Sequence, residues 1–233
     1  MAIQVVILAY PGCAHAAPTE RLVRQVATDL DVAVDLQRTA VTTPQQALAA
    51  RFAGSPSVLV DDRDLELDAQ PTAELSDRRY GSGTGVPPRW LVEAALLRAL
   101  QPRSVLFLCY ANSVRSQLAE ALARRLLPPT VRVQSAGTLS CYVHPTALQV
   151  LEEIDIDASD QWSKSVDEIE GASVEVVITL CDEQTCPAFL GHARRVHWPI
   201  PDPSAAVDPL AALEAFRACR DEIEQRVRLL APR

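Results

Sequence analysis

The chain has 233 residues, of which 48% are hydrophobic, and a formal net charge of −8 at pH 7. This length predicts two domains of ordinary size, each with enough apolar residues for its own core. The negative charge argues against nucleic acid and anionic membrane surfaces as partners, and no apolar stretch of the sequence approaches the length of a membrane span.

The first predicted element is a strand over residues 3–9. No basic segment precedes it and it ends at Tyr10-Pro11-Gly12, which favours a strand over a signal peptide. Without an export signal, the six cysteines are expected to be thiols for chemistry or for metal binding and not a frame of structural disulfides. A cytoplasmic location is therefore expected.

The first half of the chain is predicted to be an α/β domain. Thr43, Pro44 and Gln46 have the pattern of a helix start, with threonine as the cap, proline at the first position and glutamine completing a capping box. We place the domain boundary at residue 102, which gives domains of residues 1–102 and 103–233. The predicted elements after the first strand are helix 18–30, strand 32–36, the short helix from residue 44, strand 57–60 and a closing helix over residues 90–100.

Strands and helices alternate along the second half, which predicts a doubly wound parallel α/β sheet. Ligands of such sheets bind at the carboxyl ends of the strands. Cys109, Cys181 and Asp202 each come just after a predicted strand, so we expect them to meet in one crevice. The predicted strands cover residues 104–108, 131–134, 174–180 and 195–198, and the helices cover residues 117–127, 145–154 and the segment from residue 208 onward.

The segment between the first strand and the first helix of this half, residues 109–116, is named here the oxyanion loop. Its backbone N–H groups can wrap a tetrahedral anion, the Arg115 guanidinium can grip two oxygens, and the helix N-terminus stabilises a thiolate at Cys109. Asn112 is expected to hold the shape of the loop, because asparagine tolerates a left-handed backbone. A buried strand-end cysteine beside a surface arginine is the less favoured alternative. The predicted oxyanion-binding residues are Tyr110, Ala111, Asn112, Ser113, Val114, Arg115 and Ser116.

Short motifs follow the oxyanion loop in a fixed order. They are Ser135-Ala136-Gly137, His144-Pro145, Ser163-Lys164, Thr179-Leu180-Cys181, Cys186-Pro187, His197-Trp198, Asp202-Pro203 and Arg220-Asp221-Glu222-Ile223. With the loop, they make residues 103–233 resemble the low-molecular-weight protein tyrosine phosphatase superfamily, and within it the arsenate reductases that use a relay of cysteines. Ser135 and Lys164 are assigned to the support or the rim of the site.

The resemblance implies a mechanism for arsenate reduction. Cys109 would attack arsenic while Asp202 donates a proton to the departing oxygen, and Cys181 would then attack the Cys109 sulfur and release arsenite. Cys186 would attack Cys181, which leaves a disulfide for an outside thiol donor. The implied substrate is arsenate or a similar oxyanion, the implied reductant is thioredoxin, a glutaredoxin-type protein or a low-molecular-weight thiol, and no bound cofactor is expected.

A low-molecular-weight tyrosine phosphatase is the alternative function. It needs only Cys109, Arg115 and Asp202, and would hydrolyse phosphate monoesters through a phosphocysteine. Ser204-Ala205 stands where such phosphatases often carry paired tyrosines, which disfavours this function. The spacing of Cys181 and Cys186, by contrast, disfavours the reductase. Only four residues separate them, two fewer than in better known reductases of this kind, and losing two residues removes about 7 Å of the extended reach that would carry Cys181 to Cys109 and back to Cys186.

A zinc site is a third alternative, since Cys181, Cys186, His192 and His197 have suitable residue types and spacing. The segment is too short for a zinc-finger fold, and His197-Trp198 already belongs to the resemblance, so no metal is predicted. Cys219 is expected to be a small packing residue of the last helix. Cys141 receives no role.

The first domain resembles a thioredoxin-like domain, because Cys13 follows the first strand and Gly54-Ser55-Pro56 precedes the third. It lacks the usual second cysteine, since Ala14, His15 and Ala16 follow Cys13. Exchange between two thiols of this domain is therefore excluded. Cys13 is either a relay that acts through a mixed disulfide or a loop residue in a domain kept for packing or dimerisation.

Overall fold

A computed structural model of the chain describes residues 2–81, 83–181, 192–206 and 208–232. The chain separates into two units, Met1–Leu100 and Gln101–Arg233. The assignment of domains to residues 1–102 and 103–233 stays a prediction, two residues from this boundary. No helix within the described ranges is long and apolar enough to cross a membrane.

The first unit is built around a mixed sheet. The elements are β1 (Ile3–Ala9), α1 (Ala16–Asp29), β2 (Val34–Ala40), α2 (Pro44–Ala49), β3 (Ser57–Val60), β4 (Arg63–Asp64) and α3 (Arg89–Leu100). The strand order is β2-β1-β3-β4, in which β1 and β2 are parallel and the other pairs are antiparallel. This arrangement is compatible with the thioredoxin-like resemblance, which stays a prediction.

Local sequence explains several of these element boundaries. The predicted start of α2 is confirmed, because the Gln46 N–H donates to Thr43 Oγ1 at 3.2 Å and Pro44 occupies the first turn. The glutamine side chain, however, accepts from the Thr42 N–H at 2.9 Å and not from that of Thr43. Helix α1 starts at Ala16, two residues before its predicted start at Pro18. Pro18 is tolerated in the first turn because the N–H groups there make no hydrogen bond within the helix.

Strand β2 is longer than the sequence predicts, and ends at Ala40 instead of residue 36. It is largely exposed, so its side chains carry no hydrophobic alternation beyond residue 36 that could signal a strand. Its length is set by its neighbour, because all seven residues of β1 pair with it in parallel register from Ile3 and Val34 to Ala9 and Ala40.

Residues 76–78, named here the edge segment, run beside the start of β3. The Ser55 N–H donates to Ser76 O at 2.8 Å, and the Arg78 N–H donates to Ser55 O at 2.9 Å. The Tyr10 hydroxyl donates to Asp77 Oδ1 at 2.5 Å, and this bond raises the pKa of Tyr10 to about 12. The peptide bond between Ser55 and Pro56 is cis. The N–H and the carbonyl group of Ser55, the residue before the cis-proline, are therefore both hydrogen-bonded to the edge segment.

Replacing Arg78 with methionine is expected to destabilise the first unit by about 3 kcal/mol. The Arg78 side chain is 4% exposed, donates to both Asp64 oxygens at 2.7 and 2.8 Å, and donates to Glu66 at 2.8 Å. Methionine fills the space but leaves two carboxylates without their cation. Urea-dependent hydrogen exchange in β1 and β3 measures the change. Arg24→Met removes an arginine that is 55% exposed and should change stability by less than about 0.5 kcal/mol; equal effects would contradict this account.

The second unit contains the predicted parallel α/β sheet, which is thereby confirmed. The elements are β5 (Ser104–Cys109), α4 (Arg115–Leu126), β6 (Arg132–Gly137), α5 (Pro145–Glu152), β7 (Val176–Thr179), β8 (Arg194–His197) and α6 (Pro209–Arg228). The strand order is β6-β5-β7-β8, and all three pairs are parallel. One buried cluster lies across the strands and consists of Leu106, Leu108, Ala136, Val174 and Val177.

Helix α6 lies against both α4 and α5. Asp208 caps it as predicted, since Asp208 Oδ1 accepts from the Ala211 N–H at 2.9 Å. Its apolar stripe is buried at Phe216, Ile223 and Val227. Helix α6 therefore packs against α4, the helix that follows the oxyanion loop.

Candidate active site

The oxyanion loop connects β5 to α4 and follows the expected order of strand, loop and helix. Cys109 is the last residue of the strand, and its side chain lies 3.0 Å from the Ser116 hydroxyl in the first turn of the helix. Cys109 is 3% exposed and Ser116 is fully buried. The cysteine sulfur is thus held at the base of the loop, within reach of a hydroxyl donor.

Asn112 is the hydrogen-bonding centre of the loop. Its φ of +45° lies in the left-handed region that asparagine tolerates. Its Oδ1 accepts from the Lys164 N–H at 2.7 Å and from Gln117 Nε2 at 2.9 Å. Its Nδ2 donates to the hydroxyls of Ser116 and Ser135, both at 2.8 Å. One side chain therefore ties the loop to the helix after it, to β6 and to the segment around Lys164.

Gly137 allows the neighbouring segment to approach the loop. A Cβ atom at this position would lie 2.6 Å from Asn112 N, 2.7 Å from Tyr110 O and 2.8 Å from Leu139 O. The close approach allows a main-chain hydrogen bond, in which the Leu139 N–H donates to Tyr110 O at 3.0 Å. Farther along the loop, the Ser163 hydroxyl donates to Ala111 O at 3.1 Å. The Tyr110 and Ala111 carbonyl groups of the loop are thereby bonded to neighbouring segments.

Arg115 links the loop to the other strand ends. Its Nη1 donates to Ile200 O at 3.1 Å and more weakly to Leu180 O at 3.4 Å, and its Nη2 donates to Asp202 Oδ2 at 2.8 Å. Its side chain is 7% exposed, whereas that of Asp202 is 42% exposed. The guanidinium thus lies under the carboxyl ends of β7 and β8, with its charge paired to the more exposed Asp202.

Asp202 is held as a hydrogen-bond acceptor. Its Oδ1 accepts from the Ser204 N–H at 3.0 Å and from the Ser204 hydroxyl at 2.7 Å, which caps the short 3-10 turn Pro203–Ala205. Its Oδ2 accepts from Arg115. Since an ionised carboxylate only accepts hydrogen bonds, this arrangement suits the unprotonated form. Proton donation by Asp202 would require Arg115 to turn toward another anion.

Cys181 follows β7 and is fully buried. The Leu180 N–H before it donates to Leu108 O at 2.8 Å, so its main chain lies beside the residue that precedes Cys109. Cys186 lies outside the described residues. The structure therefore brings the Cys109, Arg115, Cys181 and Asp202 positions to one edge of the sheet, as the predicted topology requires.

Glu120 is a buried residue of α4 that sequence reasoning missed. It is 1% exposed, and its Oε2 accepts from Lys164 Nζ at 3.2 Å and from the Ser135 hydroxyl. The signal in the sequence is a charged residue within the run Leu118-Ala119-Glu120-Ala121-Leu122, where the helix is otherwise apolar. A charge in such a run predicts a buried partner, and Lys164 and Ser135 supply it.

The other cysteines lie around or apart from this site. Cys219 of α6 is buried, as expected of a packing residue, and burial raises the pKa of its thiol to about 12, although Arg115 acts in the opposite direction. It therefore stays protonated at neutral pH. Cys141 is exposed, and Cys13 is half-buried in the first unit. Among the described residues, no three His, Cys, Asp or Glu side chains are grouped so that they could hold a metal ion.

Comparison with known proteins places the second half in a family. Residues 104–233 match the family described as low molecular weight phosphotyrosine protein phosphatase. The chain is 36% identical over 131 residues to arsenate reductase 1 of Bacillus cereus, covering 55% of this chain and 94% of that protein. It is also 36% identical over 135 residues to the arsenate reductase of Halalkalibacterium halodurans, covering 57% and 97%.

Among solved structures, the second half is similar to an arsenate reductase in the phosphate binding state. The identity is 35%, the TM-score is 0.46, and the match covers 54% of this chain and 93% of the other. The superfamily resemblance predicted for the second half is confirmed by the family match and by the curated relatives. Since the family match spans more than half of its residues, the chain belongs to the low molecular weight phosphotyrosine protein phosphatase family.

Proposed function

We propose that the protein reduces arsenate to arsenite at the oxyanion loop, using Cys109, Cys181 and Cys186. The observation that supports this proposal is the main-chain bond between Leu180 and Leu108, because Cys181 follows the first of these residues and Cys109 follows the second. The 36% identity to arsenate reductases over nearly their whole length supports the same substrate. A thiol placed there is needed for reduction and has no task in phosphate ester hydrolysis.

The first step is binding and attack. The loop N–H groups and the Arg115 guanidinium hold the arsenate oxygens, which compete with Asp202 Oδ2 for the arginine donors. Asp202, released from this pairing, takes up a proton. The Cys109 thiolate forms a bond to arsenic, the bond to one oxygen breaks, and Asp202 delivers its proton so that the oxygen leaves as water.

The second step is reduction. The Cys181 thiolate attacks the Cys109 sulfur, the sulfur–arsenic bond breaks, and its electron pair stays on arsenic, which leaves as arsenite. The Cys186 thiolate then attacks the Cys181 sulfur and restores Cys109 as a thiolate. The two electrons come from Cys181 and Cys186, which end as a disulfide. An outside thiol donor, either a thioredoxin or glutaredoxin-type protein or a low-molecular-weight thiol, reduces that disulfide.

Hydrolysis of phosphate monoesters is the second candidate function. It is favoured by the family match and by the geometry of Cys109, Arg115 and Asp202, which would bind a phosphoryl group as well as arsenate. In this reaction Asp202 protonates the leaving alcohol and water then attacks the phosphocysteine. Cys181 takes no part, so the two functions differ in their need for this residue.

Replacing Cys181 with serine is expected to abolish arsenate turnover while leaving hydrolysis of p-nitrophenyl phosphate within about twofold of wild type. The reason is that a serine hydroxyl cannot attack the Cys109 sulfur and form a disulfide with it, whereas the oxyanion loop stays intact. Arsenate-dependent NADPH oxidation with thioredoxin and its reductase, or with glutathione, glutaredoxin and glutathione reductase, measures turnover.

Two further variants serve as controls for this experiment. Cys109→Ser should lose both activities, and Cys141→Ser, which changes an exposed cysteine, should lose neither. Arsenate turnover that survives Cys181→Ser would contradict the cysteine relay. Hydrolysis without arsenate turnover by wild type under every donor would leave the phosphatase function.

A further inference from the structure

We propose that Lys164 and Glu120 are positioning residues that fix the direction of a hydrogen-bond chain ending on the Cys109 sulfur. This inference rests on the proposed role of Cys109 as the nucleophile, but not on the identity of the oxyanion. The chain runs from Glu120 through the Ser135 hydroxyl, the Asn112 amide and the Ser116 hydroxyl to Cys109. All of these side chains are buried.

The orientation of the Asn112 amide is fixed by a main-chain donor. The Lys164 backbone N–H can only donate, and it lies 2.7 Å from Oδ1 of Asn112. The Asn112 Nδ2 group must therefore face the other way, toward Ser116 and Ser135. Because the Ser116 oxygen accepts from Nδ2, its own proton is left to be donated to the Cys109 sulfur, 3.0 Å away. Such a bond stabilises the thiolate.

Glu120 fixes the other end of the chain. As an ionised carboxylate it only accepts, so the Ser135 hydroxyl donates to it and offers its lone pairs to Asn112 Nδ2. A protonated Glu120 could instead donate to Ser135, and the Ser135 proton, having lost its acceptor, could then turn toward Asn112 Nδ2 and oppose the donation from this group. The Lys164 main chain fixes the Asn112 amide, and the direction of the Ser135 hydroxyl beyond it depends on keeping a carboxylate charged at 1% exposure.

Lys164 is the buried cation that keeps Glu120 charged. Its side chain is 9% exposed, and its Nζ lies 3.2 Å from Glu120 Oε2 and 3.0 Å from Trp162 O, above the Trp162 ring. Arg124, at 2.5 Å from Glu120 Oε1, is the second cation but is 40% exposed and shared with Asp160. Lys164 acts twice, because its side chain anchors Glu120 and its main chain orients Asn112.

Other charged groups face Cys109 and stay in place in the variants proposed below. They are Arg115 of α4 and Asp202 beside the 3-10 turn, and both act, as Cys109 and Glu222 do, on the neutral thiol of Cys219 in α6. In the described part of the chain, Glu120 also pairs with Arg124, which in turn pairs with Asp160. A shift in the titration of Cys109 caused by changing Lys164 or Glu120 is therefore transmitted through the buried chain or through space.

The test is the pH dependence of Cys109 alkylation by iodoacetamide. Trypsin cleaves after Arg103 and Arg115, and Cys109 is the one cysteine between them in the sequence, so mass spectrometry isolates its rate from those of the other cysteines. Lys164→Met is expected to move the midpoint of the profile about one pH unit higher than wild type. Lys164→Arg, which keeps the charge, should move it by less than half as much.

The Glu120→Gln variant distinguishes an effect that reaches Cys109 through the hydrogen-bond chain from a direct Coulomb effect on Cys109. If Lys164 and Glu120 acted on the Cys109 thiolate only through space, removing the negative charge would move the midpoint to lower pH, opposite to the effect of Lys164→Met. The proposed chain requires both variants to move it to higher pH. Removing both charges should give no more than the larger single shift, because both act through Ser135 and Asn112.

A Glu120→Gln midpoint that is lower than wild type or unchanged would overturn the proposal, and so would equal shifts for Lys164→Met and Lys164→Arg. If Lys164→Met fails to fold, Glu120→Gln decides alone, because glutamine keeps the size of the side chain. The alkylation profile needs no arsenate, so it is independent of the proposed substrate. Loss of arsenate turnover with an unshifted profile would count against this inference and not against the proposed function.

Discussion

Replacing Arg115 with lysine is expected to lower kcat/KM for arsenate by about 10³-fold, although the positive charge is kept. The guanidinium donates at once to Ile200 O, to Asp202 and, more weakly, to Leu180 O. A lysine ammonium cannot span these three acceptors and cannot present two parallel N–H groups to an oxyanion. The variant therefore loses both the anion grip and the link to Asp202.

Steady-state kinetics with arsenate and with p-nitrophenyl phosphate measure the effect, and both activities should fall together because both use the oxyanion loop. Arg103→Lys is the matched control, since its side chain is 88% exposed and its ion pair within the described residues is with a surface carboxylate, Glu175. A loss below about tenfold for Arg115→Lys would show that charge alone is sufficient at this position.

Replacing Gly137 with alanine is expected to lower kcat/KM for both substrates by about 10²-fold. The added Cβ would lie 2.6 to 2.8 Å from three main-chain atoms, those of Asn112, Tyr110 and Leu139. Main-chain atoms cannot rotate away as a flexible side chain can, so the oxyanion loop must shift. A displaced loop no longer aligns its N–H groups with the anion.

Gly81→Ala is the matched control, because its nearest neighbour would be a side-chain oxygen of Glu66 at 3.9 Å. Thermal unfolding of the Gly137→Ala variant separates a loop defect from loss of the fold. Unchanged kinetics for this variant would mean that the segment after β6 moves away at no cost to the loop.

The elements around the site were predictable because their signals are local. The apolar run before Cys109 and the helical periodicity after Arg115 lie within a few residues of each other, so a strand, a loop and a helix follow directly from the sequence. The meeting of Cys109 with Asp202 follows from one general property of parallel sheets, in which the carboxyl ends of the strands share an edge.

The supporting contacts were not predictable, because they join residues far apart in sequence. Lys164 lies 44 residues from Glu120, and Ile200 lies 85 residues from Arg115. No periodicity records which carbonyl receives a guanidinium or which carboxylate receives a buried ammonium. These contacts depend on side-chain packing after the sheet has formed, and a composition in which Lys164 is the one lysine identifies the residue but not its partner.

The edge segment of the first unit limits how a partner could bind near Cys13. Proteins often recognise extended peptides by strand addition, in which the peptide pairs with free main-chain groups at the border of a sheet. At Ser55 both groups are already taken by Ser76 and Arg78 of the same chain, and Arg78 is anchored by Asp64 and Glu66. The protein thus supplies its own peptide at this border, and the Tyr10 hydroxyl is bonded to Asp77 of the same segment.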